Sequence, residues 1–126
     1  MTIDYYPELE EIRGALETTV HNFPYSSCYI AAHVVQKILG LQLVGGRYIP
    51  TGSNWQSFGH AWNYDSQRGL YIDLTQDQFS ADRPKIGILP DSTDILQKMW
   101  TLSPLSSPVI DQVITKLSSM RQARTI

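Results

Sequence analysis

The sequence predicts one α+β domain spanning residues 1–126, a length that suits a single domain. Apolar residues recur at helical spacing before residue 40 and again near the end of the chain. Between these stretches, short apolar or alternating runs are separated by turn sequences, a pattern typical of antiparallel strands. No alternation of strands and helices indicates a parallel sheet. We therefore expect N-terminal helices, a small antiparallel sheet and C-terminal helices.

Two helices are predicted before the strands. The first begins near Pro7, a residue suited to the first helical position, and ends before Phe23-Pro24. The second extends from about Cys28 to Leu39 and is closed by Gly40, with one of the two preceding serines as its N-cap. Its broad apolar face predicts a helix buried at the centre of the domain.

The middle of the chain predicts strands. Residues 41–44 and 47–49 flank a Gly45-Gly46 pair, which indicates a turn or a bulge. Residues 58–64 and 70–74 predict two further strands, joined by a turn sequence at residues 65–69.

The last third of the chain predicts one more strand and two helices. The strand covers residues 85–89, and a short helix opens at residues 91–94 and runs to Trp100. The final helix opens at Ser107-Pro108, and we expect a frayed tail from residue 121 onward.

Composition narrows the class of protein. Hydrophobic residues make up 42% of the chain, charged residues 17%, and the net charge is −2, so we expect neither nucleic acid nor a membrane as a partner. No apolar run approaches about 18 residues, and the N-terminal sequence does not resemble a signal peptide. We expect a cytoplasmic protein or one delivered by a signal-independent secretion route. A single cysteine excludes an internal disulfide and multi-cysteine zinc sites, and no metal or cofactor is expected.

Cys28 is the only cysteine, and it falls at the first turn of the second predicted helix. The thiolate is the reactive form of cysteine, and a helix N-terminus stabilises negative charge. The N–H groups at that terminus are also suited to hold the oxyanion of a tetrahedral intermediate. The alternative is that Cys28 is a small buried hydrophobic residue, the commoner fate of a lone cysteine.

His60 and Asp73 lie on the two strands that flank the turn at residues 65–69. A two-residue turn at Ser66-Gln67 would place them directly opposite each other, with Cβ atoms about 5 Å apart. A four-residue loop would place Asp73 diagonal to His60 but on the same face, and only a one-residue slip would separate them. The alternatives are that His60 is a half-buried strand histidine and that Asp73 caps the end of a strand. Asp77 is a weaker candidate for the role of Asp73.

These motifs resemble the papain-like and transglutaminase-like cysteine enzymes. The motif Gly59-His60-Ala61-Trp62, followed by the segment from Tyr71 to Thr75, looks most like the transglutaminase-like branch. The resemblance covers about half of the chain, from residue 23 to residue 79. It implies a fold in which the helix bearing the nucleophile packs on a small antiparallel sheet. It also implies that Cys28 is the nucleophile, His60 the base and Asp73 the residue that orients the base.

The same resemblance suggests further site residues. In papain-like enzymes, a glutamine six residues before the cysteine helps to bind the oxyanion. Asn22 occupies that position here, and Gln56 is a second candidate. Trp55, in a polar loop, is the best candidate for lining a substrate cleft, whereas Trp62 is expected in the core.

The resemblance implies a cysteine-dependent acyl-transfer enzyme that acts on amides. A small bacterial glutamine deamidase or transglutaminase-like effector or toxin is the favoured form, with a cysteine peptidase as the alternative. A second alternative is a catalytically inactive binding module of the same fold, with Trp100 and the C-terminal helix as its partner surface. The expected partners are a protein or peptide substrate and, for a toxin, a cognate inhibitor or immunity protein.

Overall fold

The computed structural model describes residues 3–50 and 57–124. In this part of the chain three α-helices accompany a five-stranded antiparallel sheet, which confirms the predicted α+β class. The helices are α1 (Tyr6–Thr19), α2 (Cys28–Leu39) and α3 (Pro108–Arg124). The strands are β1 (Gln42–Tyr48), β2 (Phe58–Asp65), β3 (Leu70–Asp73), β4 (Gly87–Pro90) and β5 (Leu96–Thr101), and a 3₁₀ turn covers Gln76–Gln78.

The strands lie in the order β4-β3-β2-β1-β5, and every neighbouring pair is antiparallel. In the β2–β3 pair, Tyr64 lies opposite Tyr71, which corresponds to the four-residue loop 66–69. The two-residue turn is therefore wrong and the looser loop is confirmed. The loop closes because Gly69 adopts a left-handed conformation with φ 65°. The Asp65 carboxylate also accepts a hydrogen bond from the backbone N–H of Arg68.

The Gly45-Gly46 pair lies inside one continuous strand, β1, rather than between two strands. The pairing of β1 with β5 shifts register between these two residues, as expected for a bulge. A Cβ atom on Gly45 would meet the Trp100 indole, and one on Gly46 would meet the carbonyl oxygen of Gln97. Glycine is therefore needed at both positions because β5 approaches β1 so closely.

The short helix predicted from residues 91–94 to Trp100 is wrong. The polar residues before it form a turn, with the N–H of Asp91 bonded to Gly69 O and that of Thr93 to Pro90 O. The following residues form β5, which pairs with the edge of β1. Only one helix follows the sheet in the described chain, and α3 continues to Arg124 where a frayed tail was expected.

The helices cover one face of the sheet. Asn63 on β2 donates to the carbonyl of Ala32 on α2 at 2.9 Å and so marks this face. α2 also packs against α1 and α3, as expected for a central helix. The core between the helices and the sheet consists of Ile3, Leu9, Ile12, Ala15, Leu16, Ala31, Val34, Val35, Leu70, Ile72, Leu74, Ile110, Val113 and Leu117.

A second, aromatic core lies on the opposite face of the sheet. Trp62 follows Ala61 and precedes Asn63, so its side chain points away from α2. It is buried, as predicted. Its cluster contains Val44, Tyr48, Tyr71, Ile95 and Leu96.

A buried arginine on α1 fixes the segment that follows β3. Nη1 of Arg13 donates to Leu74 O at 2.6 Å, and the guanidinium forms a bidentate pair with Asp77, with both N–O distances 2.8 Å. Asp77 is thus engaged with α1. The pairing anchors the chain just beyond the position of Asp73.

None of the helices within residues 3–50 and 57–124 is both long enough and apolar enough to cross a membrane.

Candidate active site

Cys28 is the first residue of α2, as predicted, and it is half-buried. Ser27 occupies the N-cap position, but its hydroxyl donates to Tyr25 O and makes no capping bond. The first N–H to enter the helical ladder is that of Ala31, which bonds to Ser27 O. The N–H groups of residues 28–30 therefore have no partner within the helix, an arrangement suited to binding negative charge.

Asn22 lies in the turn that precedes α2. It is exposed and left-handed, with φ 63°, a conformation that asparagine tolerates better than most residues. Its carbonyl accepts a hydrogen bond from the N–H of Tyr25. Among the described residues no hydrogen bond joins its side chain to Cys28, and its role as an oxyanion donor stays a prediction. Gln56 and Trp55 lie outside the described residues, so their roles also stay predictions.

His60 and Asp73 form a buried hydrogen-bonded pair. The two residues are 6% and 2% exposed, and His60 Nε2 lies 2.7 Å from Asp73 Oδ2. The register sets Asp73 diagonal to His60 on one face of the sheet, the geometry expected for the looser loop. Since a carboxylate only accepts hydrogen bonds, Nε2 carries the proton and Nδ1 is left for chemistry.

Cys28 lies close enough to His60 to raise the pKa of the imidazole. Burial on its own lowers the pKa of His60. The charge and hydrogen bond of Asp73, followed by hydrogen bonding and charge from Cys28, outweigh burial and raise that pKa to about 9. Nδ1 is buried and has no partner in strict hydrogen-bond geometry within the described chain. The thiol and the ring are thus neighbours whose alignment must tighten before a proton is exchanged.

Asp73 accepts further hydrogen bonds from the residues that follow it. Oδ1 accepts from the N–H of Thr75 at 3.1 Å and from its hydroxyl at 3.3 Å, and Gln76 Nε2 donates to Oδ2 at 3.4 Å. These donors hold the carboxylate in a fixed orientation. Sequence reasoning gave neither residue a role, although a threonine two residues after an aspartate is typical of a turn closed by the carboxylate.

Aromatic side chains surround the His60 ring. Phe79 meets it edge-on, with ring centroids 5.0 Å apart, and Trp62 stacks at 5.8 Å. Tyr48 lies edge-on at 6.2 Å and stacks on Phe79. This apolar shell excludes water and strengthens the attraction between imidazolium and carboxylate. The contribution of Phe79 was not predicted.

Comparisons of the chain with models of known protein families, with curated protein sequences and with solved structures gave no match in any of the three. The chemistry of the site is therefore inferred from Cys28, His60 and Asp73 themselves.

Proposed function

We propose that the protein is a cysteine-dependent acyl-transfer enzyme that acts on amide groups of proteins or peptides, with a papain-like or transglutaminase-like fold. The observation that carries the proposal is the buried His60–Asp73 hydrogen bond of 2.7 Å, with the thiol of Cys28 beside the imidazole. The proposed fold is supported by α2, which begins at the cysteine and packs on an antiparallel sheet.

The first step is attack by the thiolate. A pKa near 9 keeps His60 protonated at neutral pH, and the imidazolium stabilises a neighbouring thiolate. The sulfur forms a bond to the carboxamide carbon while the carbonyl π electrons move to oxygen. The resulting oxyanion is stabilised by the N–H groups at the start of α2 that have no partner within the helix.

The second step releases nitrogen. As the C–N bond breaks, Nδ1 of His60 gives its proton to the leaving nitrogen, which departs as ammonia or an amine. The acyl group stays on Cys28 as a thioester. Water then attacks, Nδ1 accepts its proton, and the C–S bond breaks to give a carboxylic acid. An amine in place of water gives transamidation.

The burial of the site favours glutamine side chains as substrates. The imidazole is fully buried, and the thiol is only half-buried at the helix end. A primary carboxamide at the tip of a flexible side chain reaches such a thiol with little rearrangement. An internal peptide bond brings bulky chain on both sides, so proteolysis is the less favoured form of the same chemistry.

The test uses dimethylated casein, incubated with the protein or its Cys28→Ala variant and analysed by intact-mass spectrometry. We expect a gain of about one dalton per converted glutamine, absent with Cys28→Ala. With an added primary amine, attachment of that amine indicates transamidation. Fragments indicate the peptidase alternative. The proposal would be contradicted if the wild-type protein changed the mass of neither casein nor any peptide in a panel of glutamine peptides.

Exposed apolar side chains on β5 favour a second candidate, a non-catalytic binding module. Met99 and Trp100 are 51% and 48% exposed on this edge strand. An edge strand with apolar side chains is a common docking surface for another chain. This candidate predicts that Cys28 is unreactive. It also predicts that Trp100→Ala weakens the binding of a captured partner, as measured by calorimetry.

A further inference from the structure

The side-chain amide of Gln76 is buried between Asp73 and an arginine. The residue is 0% exposed and lies at the start of the 3₁₀ turn after β3. Its Nε2 donates to Asp73 Oδ2, the same oxygen that accepts from His60. Its Oε1 accepts from Nε of Arg83 at 2.9 Å and from Nη2 at 2.5 Å.

Arg83 determines which end of the amide faces Asp73. A guanidinium has only donors, so it requires the oxygen of Gln76, and this turns the NH₂ group toward the carboxylate. Gly87 on β4 leaves room for this arrangement, because a Cβ there would lie 3.4 Å from Gln76 Oε1 and 3.2 Å from Asp73 O. Arg83 therefore donates to Gln76, and Gln76 donates to Asp73, which also accepts from His60.

We propose that Gln76 is a positioning residue for the acyl-transfer site, and that Arg83 fixes the direction of its amide. The role in catalysis rests on the proposed function, whereas the effect on the His60–Asp73 pair does not. Gln76 acts only through Asp73. With its NH₂ toward Oδ2, it keeps the carboxylate aimed at His60 Nε2.

Reversal of the amide would weaken the His60–Asp73 bond. Oε1 would then face Oδ2 at about the distance now spanned by the hydrogen bond, and two acceptor oxygens repel each other. Asp73 would rotate about its Thr75 contacts, which moves its charge away from His60. Within residues 3–50 and 57–124, the other titratable groups near the pair are Cys28 on α2 and Tyr48 on β1. Burial raises the pKa of Tyr48, Arg83 lowers it and Asp73 raises it.

The test is the proton resonance of His60 Nε2–H, which lies far downfield when the proton is held by a carboxylate. In Gln76→Glu an oxygen replaces the donor opposite Asp73 while the contact with Arg83 is kept. In Arg83→Met the amide loses the donor that holds its oxygen, so its NH₂ group is no longer fixed toward Asp73. We expect both variants to lose this resonance or shift it upfield. We also expect alkylation of Cys28 to slow roughly tenfold.

Two variants serve as controls. Arg83→Lys keeps a donor for Oε1 and should preserve the resonance. Gln78→Glu adds the same charge on the same turn, at a side chain that makes no hydrogen bond to Asp73 in the described chain, and should preserve it too. A role in stability alone would lower the melting temperature without moving the resonance. Should Gln76→Glu fail to fold, Arg83→Met provides the same test at a half-buried position.

The proposal would be overturned if the His60 resonance were unchanged, or shifted further downfield, in folded Gln76→Glu and Arg83→Met. Gln76 would then only compete with His60 for Asp73 Oδ2. This result leaves the proposed function standing if casein is still deamidated. The converse outcome is a resonance that changes in Arg83→Met and persists in Arg83→Lys while the wild-type protein converts no amide. This outcome would support the positioning role of Gln76 and contradict the proposed enzymatic function.

Discussion

The carboxylate of Asp73 is buried and accepts hydrogen bonds from His60, Thr75 and Gln76. A buried charge is costly unless it is paired and hydrogen-bonded, and here both conditions are met. The pair engages Nε2 of His60 and leaves Nδ1 without a hydrogen-bond partner among the described residues. At the scale of single residues, Asp73 therefore determines both the charge and the orientation of the proposed base.

The substitution Asp73→Asn should lower the pKa of His60 from about 9 toward its ordinary value of 6.5. The reason is that an amide removes the negative charge that opposes the effect of burial. An NMR titration of the histidine rings measures this, with His60 assigned through His60→Gln.

Asp77→Asn is the matched control for that titration. Asp77 pairs with Arg13 rather than His60, so this variant should lose stability while the pKa of His60 stays near 9. A titration of His60 that is the same in Asp73→Asn and wild type would contradict the assigned role of Asp73.

Arg13 is a second residue whose removal should have a large effect. Arg13→Met leaves the partly buried Asp77 and two backbone carbonyls without their donor. We expect the free energy of unfolding to fall by about 3–5 kcal/mol in urea denaturation. Arg121→Met, which removes a surface pair with Glu11 at 3.7 Å, should change it by less than about 1 kcal/mol. Equal losses in the two variants would show that burial of Arg13 is unimportant.

Among the elements, α2 was predictable from sequence and β5 was not. The start of α2 at Cys28 and its end at Gly40, a left-handed C-cap with φ 73°, follow from local signals. β5 exists because β1 offers it an edge far away in the sequence, and local cap signals at residues 91–94 pointed to a helix instead. Pairing between distant segments has no local signature.

The close packing of β1 against β5 predicts unequal effects of two glycine substitutions. Gly46→Ala would push a Cβ into the Gln97 carbonyl, so we expect a loss of roughly 1–3 kcal/mol or more in the free energy of unfolding. Gly59→Ala, where a Cβ would meet nothing within 4 Å, should be nearly neutral. Urea denaturation of the two variants compares them, and a neutral Gly46→Ala would contradict the observed register.

For the whole molecule, His60 links stability to pH. Its pKa is about 9 in the folded protein against about 6.5 when unfolded, so the folded state holds an extra proton between these values. The contribution is complete below about pH 6.5 and is lost as the pH rises through about 9. Urea denaturation across this range should show a decline in wild type that is smaller in His60→Gln. Parallel curves for the two proteins would contradict the raised pKa.

Across the whole chain, the His60–Asp73 pair was predictable from sequence, but the residues that support it were not. Strand parity alone puts His60 and Asp73 on one face, whatever the loop length, so this part was predictable. The contacts of Gln76 and Phe79 depend on the path of residues 74–83. That path is set by Arg13, whose partners Leu74 and Lys85 lie 61 and 72 residues away, and by Arg83, which bonds to Gln76 seven residues earlier. Such polar contacts leave no periodic pattern to detect.

The most direct test of the central claim is the rate of Cys28 alkylation by iodoacetamide at about pH 6, measured by intact mass. Because Cys28 is the only cysteine, each added group reports this site alone. We predict faster alkylation than for N-acetylcysteine, a marked slowing in His60→Gln, and no change in His21→Gln, whose side chain is exposed. The account would be contradicted if Cys28 reacted no faster than N-acetylcysteine and its rate were the same in wild type and His60→Gln.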